Sequence, residues 1–168
     1  NKTMLIVYPK GHGRGGIVYK RSADGGRTWS DRLPTPTSWG TSREVPTIHR
    51  VEDANGKKRL IMWSGLYPAR LAVSEDDGTK WSQLKPVGDW GGIVVMGCLE
   101  KVKTGKGHYM AMFHDDGRFF KGVKTQAKNP VFTLYKTFSK DGGLTWSYPE
   151  AILARNDVHL CEPGIIRS

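Results

Sequence analysis

"SKDGGLTWS", residues 139–147, places a serine, an aspartate, two glycines, a threonine and a tryptophan at fixed offsets. The arrangement recurs as "SADGGRTWS" at 22–30 and as "SEDDGTKWS" at 74–82, with Lys80 standing in the threonine position of the middle copy. The shared positions are Ser22, Asp24, Gly26, Thr28 and Trp29, then Ser74, Asp76, Gly78 and Trp81, then Ser139, Asp141, Gly143, Thr145 and Trp146. Three such matches in 168 residues are an internal repeat. An aspartate in such a box can accept backbone N–H groups across a turn, and serine and threonine hydroxyls lock the same loop. Glycine supplies the positive φ, and the tryptophan is expected to pack between neighbouring sheets. The three aspartates therefore read as structural rather than catalytic.

The segments between boxes have the period of strands. "TMLIVYP" and "GIVYKRS" precede the first box; "VPTIHRV", "KRLIMWSG" and "ARLAVSE" precede the second; "GIVVMGCLEKV", "GHYMAMFHD" and "FTLYKTFS" precede the third. Each is rich in β-branched and aromatic residues and ends at Gly, Asn, Asp or Pro. "NGKK" (55–58) and "KTGKG" (103–107) read as hairpin turns. A short strand is expected after each tryptophan, in "SDRLPTP", "SQLKPVG" and "SYPEAILA". No stretch of useful length has helical periodicity. The unit is thus four antiparallel strands with the box between the third and fourth. Trp29 to Trp81 spans 52 residues and Trp81 to Trp146 spans 65, the spacing of four-stranded propeller blades. The surplus of the second interval falls in "GRFFKGVKTQAKNP", a long loop between strands two and three. The fold class is all-β, a single domain over 1–168 with about three blades.

Composition agrees with a globular chain: 38% apolar, 10% aromatic, 21 glycines and nine prolines. No apolar run approaches a membrane span, and "NKTMLIVYPKGHG" reads as a strand rather than a signal peptide. The net charge is +10, yet the basic residues are scattered and form no nucleic-acid motif. An anionic ligand or polymer is the expected partner, with neither nucleic acid nor membrane. Cys98 and Cys161 lie far apart and read as buried small hydrophobes. The histidine and carboxylate spacings give no metal pattern, and no cofactor is expected.

The three boxes resemble the Asp-box (BNR) repeat of sialidase-like six-bladed propellers. "REVPTIHRVEDANGKKRLIMWSGLYPARLAVSEDDGTKW", "MAMFHDDGRFF" and "CEPGIIRS" are similar to bacterial members of the sialidase/neuraminidase group. The resemblance covers essentially the whole chain and specifies fold more strongly than activity. It implies a secreted or periplasmic setting, a tyrosine nucleophile paired with a glutamate, an acid/base aspartate, and three arginines that clamp the substrate carboxylate. Three boxes supply about half of such a ring, and "CEPGIIRS" reads as the inner strand of a following blade. The chain is then either a fragment of a longer one or half of a homodimeric six-bladed ring. In the second case, "EPGIIRS" of one copy completes the first blade of the other.

In blade geometry the loops opposite the boxes face the central channel. Those loops carry His12, Arg14, Trp39, Arg43, Glu44, Tyr67, Arg70, Trp90, His114, Asp115, Asp116, Arg118, Asp157, His159 and Glu162. Glu162, Asp115 and Tyr67 are the catalytic candidates. Arg43, Glu44, Arg70, Asp116, Arg118, Trp39 and Trp90 are the substrate-binding candidates, because arginine forks suit carboxylates and aromatic rings suit sugar faces. Bland alternatives stand beside them: Arg43–Glu44 as a surface ion pair, "HDDGR" as an Asp-Gly turn, His12 and His159 as solvated loop histidines. His49 and His108 suggest packing. The expected function is recognition of an acidic sugar or glycan with hydrolysis left open. The alternatives are an exo-glycosidase once the ring is complete, and a non-catalytic scaffold or gene fragment.

Overall fold

The structure is a computed structural model that describes residues 2–11, 13–93, 96–123, 125 and 127–167. His12 lies outside the described residues. Ten strands form three antiparallel sheets, and no α-helix occurs among the described residues. The first sheet pairs β1 (Met4–Gly11) with β2 (Arg14–Ser22). The second is a meander of β3 (Thr47–Glu52), β4 (Lys58–Ser64), β5 (Arg70–Ser74) and β6 (Lys85–Pro86). The third repeats that meander with β7 (Cys98–Lys101), β8 (Tyr109–Asp115), β9 (Phe132–Ser139) and β10 (Glu150–Arg155). Each box follows the strand that ends in its first serine.

The box chemistry is nearly identical in copies one and three. The first serine is buried in every copy and donates its hydroxyl to the aspartate, at 2.8, 2.9 and 2.9 Å for Ser22–Asp24, Ser74–Asp76 and Ser139–Asp141. Asp141 also accepts N–H groups from Leu144 and Thr145, both at 3.0 Å, and the Thr145 hydroxyl at 2.6 Å. Asp24 makes the same bonds to Arg27 and Thr28. Hydrogen bonding from the Thr28 N–H, its hydroxyl and Ser22 holds the Asp24 carboxyl down at about 2. In the middle copy Lys80 offers only its N–H, at 2.8 Å. Trp29 and Trp146 donate Nε1–H to Gly26 O and Gly143 O, whereas Trp81 Nε1 is buried without a partner among the described residues. The ninth residue of each box, a serine, also accepts the N–H of the residue before the box: Arg21 on Ser30, Val73 on Ser82, Phe138 on Ser147.

Asp77 replaces the first glycine of the middle box and keeps its left-handed backbone, φ 55° against 77° and 75° at Gly25 and Gly142. Two arginines hold it there: Arg50 bonds its carboxylate at 2.6 Å and Arg21 its carbonyl at 3.0 Å. Gly142 has no such room, since a Cβ there would sit 2.8 Å from Asp53 Cβ.

Each later box packs on the sheet before it. Trp81 lies against Tyr19 and Trp39, with Leu5 and Val7 in the same cluster. Trp146 lies against Trp63, 5.2 Å between ring centroids, in a cluster with Val51, Ile61 and Phe113. The two cores therefore sit between consecutive sheets.

Several sequence expectations need correction. Residues 30–36 form no strand. Ser30 and Leu33 donate to Arg21 O and Tyr19 O, but Pro34 and Pro36 carry no N–H to extend the ladder. β6 is limited to two residues, because past Pro86 the Val87 N–H still donates to Ala69 O at 3.0 Å but the Ala69 N–H turns to Trp90 O at 2.7 Å. Of the strand expected over 92–102, the described residues form one at Cys98–Lys101, with Met96 at φ 60° ahead of it, and Val94 and Val95 lie outside the described residues. The C-terminal segment forms no strand, and Glu162, at φ 47°, is exposed. Cys98 is only half-buried and Cys161 is exposed.

Candidate functional site

Three loops and the start of β5 enclose a cleft of about 420 Å³ opposite the second and third boxes in strand order. Its walls are Thr41, Arg43, Leu66, Tyr67, Arg70 and Phe119, closed by Gly65, Gly122 and Val123. Each wall is fixed by packing beneath it.

The 37–45 wall hangs on Trp39, which is fully buried and packs tilted against Tyr19 and edge-on against Trp81. Ser38 locks the same turn by accepting Leu84 N–H at 2.8 Å, and Thr41 donates to Ser38 O at 2.7 Å. Gly16 lets this turn approach β2: a Cβ would lie 2.7 Å from Gly40 Cα. Thr41 then accepts Arg70 Nη1–H at 2.7 Å, aiming a half-buried guanidinium from the start of β5. Burial pushes the Arg70 pKa down. Arg43, exposed, has no hydrogen bond or ion pair among the described residues.

The 65–69 wall is tied to residues 89–92. Leu66 N–H donates to Gly92 O at 2.8 Å and Ala69 N–H to Trp90 O at 2.7 Å. Gly91 permits this, because a Cβ there would meet Leu66 O at 2.5 Å. The pairing brings Asp89 to Tyr67, whose phenol donates to Asp89 Oδ1. That bond raises the Tyr67 pKa and keeps the phenol protonated.

The third wall is held by a ladder of rings. Trp90, Phe113, Tyr135 and Phe120 stack in turn, with the last pair 4.6 Å apart at 8°. Phe120 thus anchors the 119–123 loop, and Gly122 lies against the Tyr67 ring.

The residues proposed from sequence divide accordingly. Arg43, Tyr67 and Arg70 meet in the cleft. Trp39 and Trp90 do not face it as sugar platforms, since they are 0% and 1% exposed; they are packing residues. Asp115 is 1% exposed and accepts N–H groups from Gly117, Phe119 and Phe120. Burial raises its pKa against those bonds, and its geometry is that of a loop staple. Asp116 is bonded by Arg118 Nε at 2.9 Å, and the Arg118 guanidinium lies 4.9 Å from the Phe119 ring. Arg118 therefore braces the wall and does not point into the cleft as a second fork. Glu44 lies beside the β1–β2 turn near Gly13. Glu162 sits at the C-terminal end of β8, where its N–H donates to His114 Nδ1 at 3.1 Å, and it is not among the cleft's lining residues; His114 is buried, and burial lowers its pKa. Asp157 pairs with Arg155, and His159 stacks on Phe132.

Sequence reasoning missed Thr41, Asp89, Phe119 and Gly122. Asp89 stood in the loop "VGDWGGI", but nothing in the spacing joins it to a tyrosine 22 residues away. No family model matches the chain, and no curated protein matches it.

Proposed function

We propose that the chain is part of a sialidase-like β-propeller, each antiparallel sheet a blade, and that the cleft binds the carboxylate of an acidic sugar. The observation that carries the binding reading is the pair Arg43 and Arg70 lining one cleft whose described walls contain no carboxylate. A half-buried guanidinium held by a neutral hydroxyl is stabilised by an anion far more than by water alone. Leu66, Phe119 and Val123 give the apolar surface that a sugar ring or its substituents cover. The blade reading is supported by the repeated meander, the shared box bonds and the identical way in which boxes two and three seat on the preceding sheet.

Titration with sialic acid and with a neutral hexose tests the binding reading. Sialic acid should bind at least tenfold more tightly, and Arg43→Lys or Arg70→Lys should remove most of that preference, because lysine cannot grip a carboxylate with two parallel bonds. Equal affinity for both sugars, or no loss in either variant, would refute it.

One contact favours hydrolysis as a second reading. Tyr67 could attack the anomeric carbon while its proton passes to Asp89, forming a C–O bond as the glycosidic bond breaks. The departing alkoxide also needs a proton, and no described cleft wall carries an acid to supply it. Binding is therefore preferred. Turnover of an aryl sialoside that disappears in Tyr67→Phe would reverse the preference.

A further inference from the structure

The wall that carries Thr41 and Arg43 continues past the cleft along the first hairpin, and glycines set its course. Gly16 of β2 lies against Gly40, and Gly13, in the β1–β2 turn, lies under Glu44, whose Oε1 would be 3.7 Å from a Cβ there. Residues 40–44 therefore run antiparallel to residues 16–13, which places Arg14 beside residues 42 and 43. Ser42 fixes this course from the core side. It is buried, its hydroxyl and that of Ser64 hydrogen-bond at 2.8 Å, and its backbone is extended, with φ −74° and ψ 151°. In an extended stretch the neighbours of an inward residue point outward. Thr41 and Arg43 accordingly are exposed, and both line the cleft.

The result is a row of three guanidinium-bearing positions, Arg70, Arg43 and Arg14, leading out of the cleft. Arg70 is held by the Thr41 hydroxyl at 2.7 Å. Arg43 and Arg14 are exposed, and neither has a hydrogen bond or ion pair among the described residues. Glu44 flanks the outer end of the row over Gly13 and pairs with neither arginine among the described residues. Like charges set in a row raise the local potential for an extended anion, and each planar fork can take an anionic group of its own. Residues 13–16 and 40–44 contain no aromatic side chain on which a nucleic-acid base could stack.

We propose that the cleft and this row together bind an acidic oligosaccharide of at least two acidic units, the first on Arg70 and Arg43 and the second on Arg14. The inference rests on the acidic-sugar reading of the cleft and extends it from a single sugar to a chain.

Titrating sialic acid and an α-linked disialic acid in parallel reads the second position separately from the first. At about 20 mM salt the disaccharide should bind about fivefold more tightly, the upper range for one exposed charge pair, and the gain should fade towards about 0.5 M salt. Arg14→Ala should abolish the gain while leaving the affinity for sialic acid alone unchanged. Glu44→Gln should enlarge the gain, because it removes the negative charge beside the second unit. Sialic acid that binds while the disaccharide gains nothing, or a gain that survives Arg14→Ala, would overturn this inference and leave the single-sugar reading standing. An equal gain from sialic acid extended by a neutral hexose would overturn it as well, since the added contact would then be to the ring and not to the charge. Failure of both sugars to bind would overturn the cleft reading and this inference with it.

Discussion

Replacing Asp141 with alanine should cost more than the same change at Asp76, although both head the same repeat. Asp141 accepts four hydrogen bonds, from the Ser139 hydroxyl, the Leu144 and Thr145 N–H groups and the Thr145 hydroxyl. Its donors are partly open to water, so each bond is discounted to ~0.5 kcal/mol. The sum is about 2 kcal/mol. Asp76 accepts the Ser74 hydroxyl and the Lys80 N–H, with a lesser contribution from the Thr79 N–H and no threonine hydroxyl, and its loss should cost less. Urea denaturation followed by tryptophan fluorescence reads the difference, since Trp146 is 8% exposed at the box itself. With a slope of about 2 kcal/mol/M, Asp141→Ala should lower the midpoint by about 1 M. The sign of the pH dependence is a second check. Burial opposes ionisation of Asp141, but the bonds from Thr145, Ser139 and Leu144 outweigh it and hold the folded pKa below 3.8. A depressed carboxyl contributes its stability above the unfolded value and loses it as pH falls through the folded one. The gap between wild type and Asp141→Ala should therefore be full at pH 6 and shrink below pH 4. Equal midpoint shifts at Asp141 and Asp76, or a gap that widens in acid, would refute the reasoning.

His49 should make the protein acid-sensitive at an unusually high pH. Burial lowers its pKa from 6.5 to about 4, so the unfolded chain takes up a proton first and stability falls as pH drops from 6.5 to 4, by at most roughly 3 kcal/mol. In His49→Phe that slope should flatten, and an unchanged slope in denaturation midpoints would contradict the assignment. Gly16→Ala should destabilise by about 2–3 kcal/mol in the same assay, because its Cβ meets backbone, Gly40 Cα at 2.7 Å and Trp39 O at 2.9 Å, which cannot swing aside. A neutral result there would mean that the 37–41 turn is not held as described.

The fold was legible because its signals are local. A box is nine residues long, and the bonds that define it lie within those nine residues or tie its last serine to the residue just before it. β9 was read to the residue, since "FTLYKTFS" is bounded by a proline-containing loop on one side and a box on the other. Reading failed where prolines broke a ladder, at 30–36, where the Ala69 N–H left β6 for Trp90 O, and where residues 162–167 form no strand.

The cleft was less legible, because residue type states what a side chain can do and not which way it faces. Trp39 and Trp90 have the right chemistry for a sugar, yet at these positions burying a tryptophan among Tyr19, Trp81, Trp63 and Phe113 is what holds the cleft walls in place. The same division separates the acids. In "HDDGR" both aspartates are spent on the loop itself, one on three backbone N–H groups and one on Arg118. That leaves Asp89, from a different loop, as the carboxylate that reaches Tyr67. The pair depends on Gly91, which lets the two loops run backbone to backbone, and Gly92 lets the same stretch approach β8, since a Cβ there would lie 2.9 Å from His114 O. The glycines are therefore as much a part of the site as the residues with functional groups. Their signal in "GDWGGI" is a close approach whose partner only the folded chain reveals.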